Sequence, residues 1–267
     1  MNLKSTLAKT DDGTIQITFT LPWKDVEKHQ EHVISEEAQK ITVPGFRKGK
    51  APVSKVREKI SESKIIEHTL SHFYSQLITD IINTHKIKPA IYPRLEVLKA
   101  IAGKDWEVRC ITCELPEVKL GDYRKLVLEK VKKSEKKTEI EENVLKILVD
   151  NIKIDIPKIL IEEEVNQRLS QLLARIEKLG LQLESYLASI GKKAEELRTE
   201  YDKQAKDAIS IELILGAIAD KEGIKADDNQ VEEAIKAASI PNTPEQKNIV
   251  RNVLQRRTVL DLLVALV

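Results

Sequence analysis

Thr14-Ile-Gln-Ile-Thr-Phe-Thr20 alternates polar and apolar positions, and together with residues 3–9 it brackets Asp11-Asp12-Gly13, a turn signal. The pattern predicts an antiparallel hairpin. From Trp23 to about Thr42 the spacing becomes helical, with Val26, His29, Val33 and Ala38 on one side and Pro22 before the first turn. A break rich in glycine and proline follows at 44–52, and a second helical stretch starts near Pro52. Ser61-x-x-Lys64 opens a longer helix whose Ile65, Ile66, Leu70, Phe73, Leu77, Ile78, Ile81 and Ile82 form a stripe, ending before Lys88-Pro89. Residues 94–100 and 105–113 alternate again around Gly103, which completes an α+β unit of two hairpins and intervening helices.

Beyond Pro116 the pattern is helical almost throughout. Residues 130–137 are charged and poor in core formers, which predicts a linker within 114–140 between a unit at 1–113 and a helical unit at 141–267. Ile161, Val165, Leu169, Leu172, Ile176 and Leu179 fall on one helix face, begun after Pro157 and capped by Gly180. A helix over about 193–221 ends apolar on nearly every side except Glu212, so other elements must cover it. Asp227 with Gln230, and Thr243-Pro244 with Gln246, have the spacing of helix N-termini. The last helix runs on into the apolar end at Val267.

Composition sharpens this picture. The 267 residues are 41% hydrophobic, 33% charged and 4% aromatic, with nine glycines and nine prolines, which favours solvated helices over a β-sandwich. A formal net charge of +1 argues against a genome-coating protein, so polyanion binding has to be local. Met1-Asn2-Leu3-Lys4 leads into no apolar h-region and no run reaches the ~18 apolar residues of a membrane span, which predicts a cytoplasmic, soluble protein. Cys110 and Cys113 form a lone C-x-x-C on an alternating strand, where residues three apart point to opposite faces and cannot chelate together. His68 and His72 are four apart on a helix but lack a third ligand, and Glu162, Glu163 and Glu164 suit a helix N-terminus better than acid–base work. No glycine-flanked nucleophile or phosphate loop is present, so no catalytic residue, metal or cofactor is expected.

The informative segment is Val43-Pro-Gly-Phe-Arg-Lys-Gly-Lys-Ala-Pro-Val53. Two glycines and two prolines hold Phe46 beside Arg47, Lys48 and Lys50. Across 47–64 there are seven basic and two acidic residues, an excess of five charges in a chain whose total is +1. An apolar residue ringed by cations has the makeup of a docking patch for an acidic protein–RNA surface; the alternative is a solvated loop.

Gly45-Phe-Arg-Lys-Gly-Lys-Ala-Pro52 closely resembles the ribosome-docking signature of trigger factor, a family of bacterial chaperones. Residues 114–123 resemble that family's exit from its N-terminal domain, and 141–267 its client-cradling body. The resemblance implies a ribosome-binding set of Gly45, Phe46, Arg47, Lys48, Gly49, Lys50 and Pro52. It implies as partners the large ribosomal subunit near the tunnel exit, both protein and RNA, and unfolded or nascent polypeptides, with no membrane. The family usually carries an FKBP-type isomerase domain of on the order of a hundred residues, for which there is no room here; no aromatic residue lies between Tyr123 and Tyr186. An ATP-independent chaperone without isomerase activity is therefore expected. A ribosome-independent holdase of the periplasmic type, an RNA-binding translation or assembly factor and an isomerase or hydrolase are the competing readings. Leu172, Ile176, Leu183 and Leu187 are candidate client contacts, or else pack helix on helix; apolar arm surface also allows a homodimer off the ribosome.

Overall fold

The computed structural model describes residues 4–42, 44–47, 52–131 and 136–267. The fold is α+β. Met1–Leu115 with Pro157–Ile159 form one compact unit, and Pro116–Ile156 with Leu160–Val267 a second.

In the first unit β1 (Ser5–Lys9) and β2 (Thr14–Leu21) pair antiparallel, with Ser5 opposite Phe19. β3 (Arg94–Lys99) and β4 (Trp106–Cys113) form the other hairpin, with a register shift between Val97 and Lys99. The two hairpins are one sheet of order β1-β2-β4-β3, because β2 pairs with β4 along its whole length. The alternation seen in the sequence now has a direction: Ile15, Ile17, Phe19 and Leu21 of β2 and Trp106, Val108 and Cys110 of β4 all enter one core. Helices α1 (Trp23–Lys40) and α3 (Glu62–His85) complete that core with Val26, Leu70, Phe73, Leu77 and Ile81. Ser61 caps α3, its hydroxyl accepting from the Lys64 amide. The short α2 (Val53–Arg57) sits with α1 and α3 on a separate small cluster of Ile34, Val56, Ile60 and Ile65.

The second unit is all helix. Its core gathers Val144 and Leu148 of α5 (Lys137–Asn151), Ile214, Leu215 and Ile218 of α8 (Ala194–Glu222), and Val259, Leu260 and Leu263 of α10 (Pro244–Val264). The apolar end of α8 is thus covered by α5 and α10, while Glu212 stays half exposed and pairs with Arg256 at 2.9 Å. The stretch 114–140 is partly folded: α4 (Tyr123–Lys130) buries Tyr123 and Val127 in the same core. The Tyr123 hydroxyl and the Arg124 guanidinium both donate to Glu222, and Lys221 stands 5.0 Å from the Tyr123 ring centroid. Residues 132–135 of that stretch lie outside the described residues.

Helix α6 (Lys158–Lys178) carries the long apolar face, α7 (Leu183–Ser189) is a short helix that the sequence pattern does not predict, and α9 (Asp228–Ala238) packs Val231 and Ile235 inward. Gly180 ends α6 in the left-handed region (φ 68°), where a glycine carries no Cβ penalty. Thr243 accepts from the Gln246 amide as the capping spacing requires, whereas Asp227 accepts from Asn229 and not from Gln230. An aspartate reaches two residues forward as readily as three, so spacing alone did not decide that bond.

The core of the first unit gives a direct test. Leu77 is fully buried, so Leu77→Ala is expected to cost about 2–5 kcal/mol. Both tryptophans, Trp23 and Trp106, belong to this unit and pack on the same core, so urea unfolding followed by tryptophan fluorescence reads the loss.

Candidate functional site

The loop leaves α1 at Ile41, whose amide donates to the Glu37 carbonyl at 3.0 Å, and returns at Pro52, whose carbonyl starts α2 by accepting from Lys55 and Val56. Gly45 adopts φ 85°, a left-handed conformation in open space that turns the next side chain outward. Phe46 is 41% exposed, and Pro44, Gly45 and Arg47 are exposed with it. Lys48, Gly49 and Lys50, three further members of the expected docking set, lie outside the described residues.

The charge around the loop is more structured than its tally suggests. Lys55 pairs with Glu58 at 3.0 Å and Lys64 with Glu37 at 2.7 Å. Arg47, Arg57 and Lys59 are exposed and make no ion pair among the described residues.

Glu37 is the polar residue that sequence reasoning missed. It sits on the buried stripe of α1 and is 3% exposed, yet its cover is thin, since its partners Lys40 and Lys64 are 66% and 46% exposed. Lys64 donates to Oε2 at 2.7 Å and Lys40 to Oε1 at 3.1 Å, with His68 Nδ1 3.8 Å from Oε1. Hydrogen bonds from Lys64 and then Lys40 hold its carboxyl below the ordinary value, against the opposing effect of burial. The available signal was an acid on a helix face otherwise marked by Val26, Val33 and Ile34.

The second candidate is a groove of about 290 Å³ in the helical unit. Leu169, Leu172 and Leu173 of α6, Leu183 and Leu187 of α7 and Leu197 of α8 line it, with Glu195 and Arg198 on its border. Three of the four expected client contacts, Leu172, Leu183 and Leu187, therefore meet at one place. Ile176 does not: it is 4% exposed, and its carbonyl closes the end of α6 by accepting from the Leu179 and Leu181 amides. Leu169, Leu173 and Leu197 were not among the candidates, because α7, which folds over them, leaves only a weak two-leucine pattern in the sequence.

Cys110 and Cys113 are fully buried free thiols, each pushed up to about 11 by burial. His72 and His32 both contact Glu36, at 3.5 and 3.3 Å. Among the described residues no three or more His, Cys, Asp or Glu side chains are placed to hold a metal ion. Glu164 pairs with Arg168 at 2.7 Å, and no helix among the described residues is long and apolar enough to cross a membrane.

The first unit is thus an antiparallel α+β unit with an exposed Phe-Arg loop, and the second a helical unit with an aliphatic groove. Residues 3–148 match the family described as "Bacterial trigger factor protein (TF)", and residues 120–265 match "Bacterial trigger factor protein (TF) C-terminus". The chain belongs to the bacterial trigger factor family. The two matches overlap, so no stretch separates them, and the region of the FKBP-type domain is lacking. Trigger factor of Caldanaerobacter subterraneus subsp. tengcongensis is 27% identical over 150 residues, 56% of this chain and 35% of that protein. Trigger factor of Clostridium kluyveri is 26% identical over 144 residues, 54% of this chain and 33% of that protein. The chain thus aligns with about a third of the length of these relatives. A solved structure titled "Promiscuous Substrate Recognition in Folding and Assembly Activities of the Trigger Factor Chaperone" shares the fold, with a TM-score of 0.65 over 99% of both chains at 16% identity.

Glu37 makes the pH dependence predictable in sign. Its folded-state pKa lies below the ordinary 4.5, so its contribution is complete above that value and is lost as the pH falls below it. The gap in urea midpoint between the intact chain and Glu37→Gln is expected to narrow as the pH drops below 4.5; a constant gap would assign the effect to shape instead of charge.

Proposed function

We propose that this chain is an ATP-independent cytoplasmic chaperone that docks beside the ribosomal tunnel exit and shields apolar segments of nascent or unfolded polypeptides. The observation that carries the reading is Phe46, an exposed aromatic residue after the left-handed turn at Gly45, with the exposed Arg47 beside it. An apolar anchor ringed by cations suits a composite surface of protein and RNA, and a patch of this size favours weak, reversible binding. Gly45, Phe46, Arg47, Lys48, Gly49, Lys50 and Pro52 form the docking loop in this reading, at the end of an N-terminal docking domain. Membership of the trigger factor family supports it.

The helical unit supplies the client surface. A groove lined by leucines from three helices has apolar area but few polar groups to fix an orientation, so it suits many apolar side chains instead of one ligand. Release needs no nucleotide, only dissociation. Lacking the FKBP-type region, the chain has no isomerase activity in this reading.

Docking is tested by pelleting with bacterial ribosomes at several salt concentrations. The Phe46→Ala, Arg47→Ala, Lys48→Ala triple variant is expected to bind roughly tenfold or more weakly, with a salt slope shallower by about two for the two lost cations. Equal pelleting of both proteins refutes the loop assignment. The groove is tested separately: Leu172→Asp with Leu187→Asp is expected to abolish most suppression of aggregation of a denatured protein while ribosome pelleting stays unchanged.

A further inference from the structure

Glu37 is 3% exposed on the face of α1 that also buries Val26, Val33 and Ile34. On the same elements a small apolar cluster joins Ile34 of α1, Val56 of α2, Ile60 between α2 and α3, and Ile65 of α3, with Ala38 and Ile41 packed against it. These residues come from the two stems of the docking loop: one stem is the end of α1, the other is α2 with the start of α3. Apolar contacts alone hold such stems together without fixing how far one slides along the other, since burial is non-directional. A carboxylate that receives Lys40 from its own helix at 3.1 Å and Lys64 from α3 at 2.7 Å is directional, and it ties the stems at one register.

We propose that Glu37 is the positioning residue of the docking loop: by locking the end of α1 to the start of α3 it sets how Gly45, Phe46 and Arg47 are presented to the ribosome. The inference rests on the docking reading above. It has a consequence of unusual sign. Removing an acid from a positively charged tip raises the attraction for a polyanion, so simple electrostatics gives tighter docking for Glu37→Gln. Loss of positioning gives weaker docking, although every residue of the loop is still present.

The experiment pellets four proteins with bacterial ribosomes over a range of salt, each well below its own unfolding midpoint: the intact chain, Glu37→Gln, Glu58→Gln and Leu77→Ala. Glu58 is an exposed acid of the same tip, so its loss changes charge without touching the brace. Leu77 lies in the separate core under the sheet, so its truncation destabilises the unit without touching the stems. Glu37→Gln is expected to dock roughly tenfold more weakly with the salt slope of the intact chain, a size found for residues that touch no ligand. Glu58→Gln is expected to dock as tightly or more tightly, and Leu77→Ala as the intact chain does. Docking by Glu37→Gln at or above the intact level overturns the proposal, as does equal weakening by Leu77→Ala, which would make the effect one of general instability. Should Glu37→Gln not fold, Lys64→Gln leaves Glu37 its Lys40 partner and is expected to dock roughly threefold more weakly, again with an unchanged slope. Failure of the intact chain to pellet overturns the docking reading itself, and is distinct from failure of the brace.

Discussion

The antiparallel pairing of β2 with β4, running from Thr14 opposite Cys113 to Leu21 opposite Trp106, is the interaction on which the first unit depends. It joins two hairpins that lie far apart in sequence and aligns Ile15, Ile17, Phe19 and Leu21 with Trp106, Val108 and Cys110 on one face. A slip of one residue would turn every one of these side chains to the opposite face. Helices α1 and α3 exist as packed elements because that face needs covering, and the loop between them is exposed because the sheet occupies the other end of their apolar stripes. The small cluster around Ile34, Val56, Ile60 and Ile65 lies at the loop's stems, where Glu37 of α1 also pairs with Lys64 of α3 at 2.7 Å.

The helical unit is built on different physics. Its core is aliphatic apart from Tyr123, and the two ends of α8 have different surroundings: Ile214, Leu215 and Ile218 belong to the core, whereas Leu197, itself buried, lines the groove beside α6 and α7. An aliphatic groove rewards apolar area and little else, which suits clients that share no sequence. In the proposed docking the loop would work in the reverse way, through one aromatic anchor and a few cations, and so in a salt-dependent manner. In the chaperone reading the chain thus separates where it is held from what it holds by using two kinds of interaction.

Much of this was legible from local rules. Alternation marked β2 and β4, the stripe marked α3, Ser61 and Thr243 marked helix starts, and the Gly45-Phe46-Arg47 spacing marked the exposed loop. Where spacing was ambiguous the reading stopped short: Asp227 chose Asn229, α7 left too short a pattern, and the charged linker concealed Tyr123 and Val127, which look like isolated apolar residues until α8 and α10 are beside them.

The sequence by itself determined which segments would be strand or helix, where the chain would turn and which loop would be left carrying an aromatic and several cations, because these follow from side-chain periodicity and backbone preference within a few residues. Only the tertiary structure decided that β2 lies against β4, that Leu172 opens onto a groove while Ile176 is closed beneath the end of its helix, and that Glu37 is a buried brace between Lys40 and Lys64. Those outcomes depend on which distant surfaces meet, and a side chain's burial and partners are properties of that meeting rather than of its neighbours in the chain.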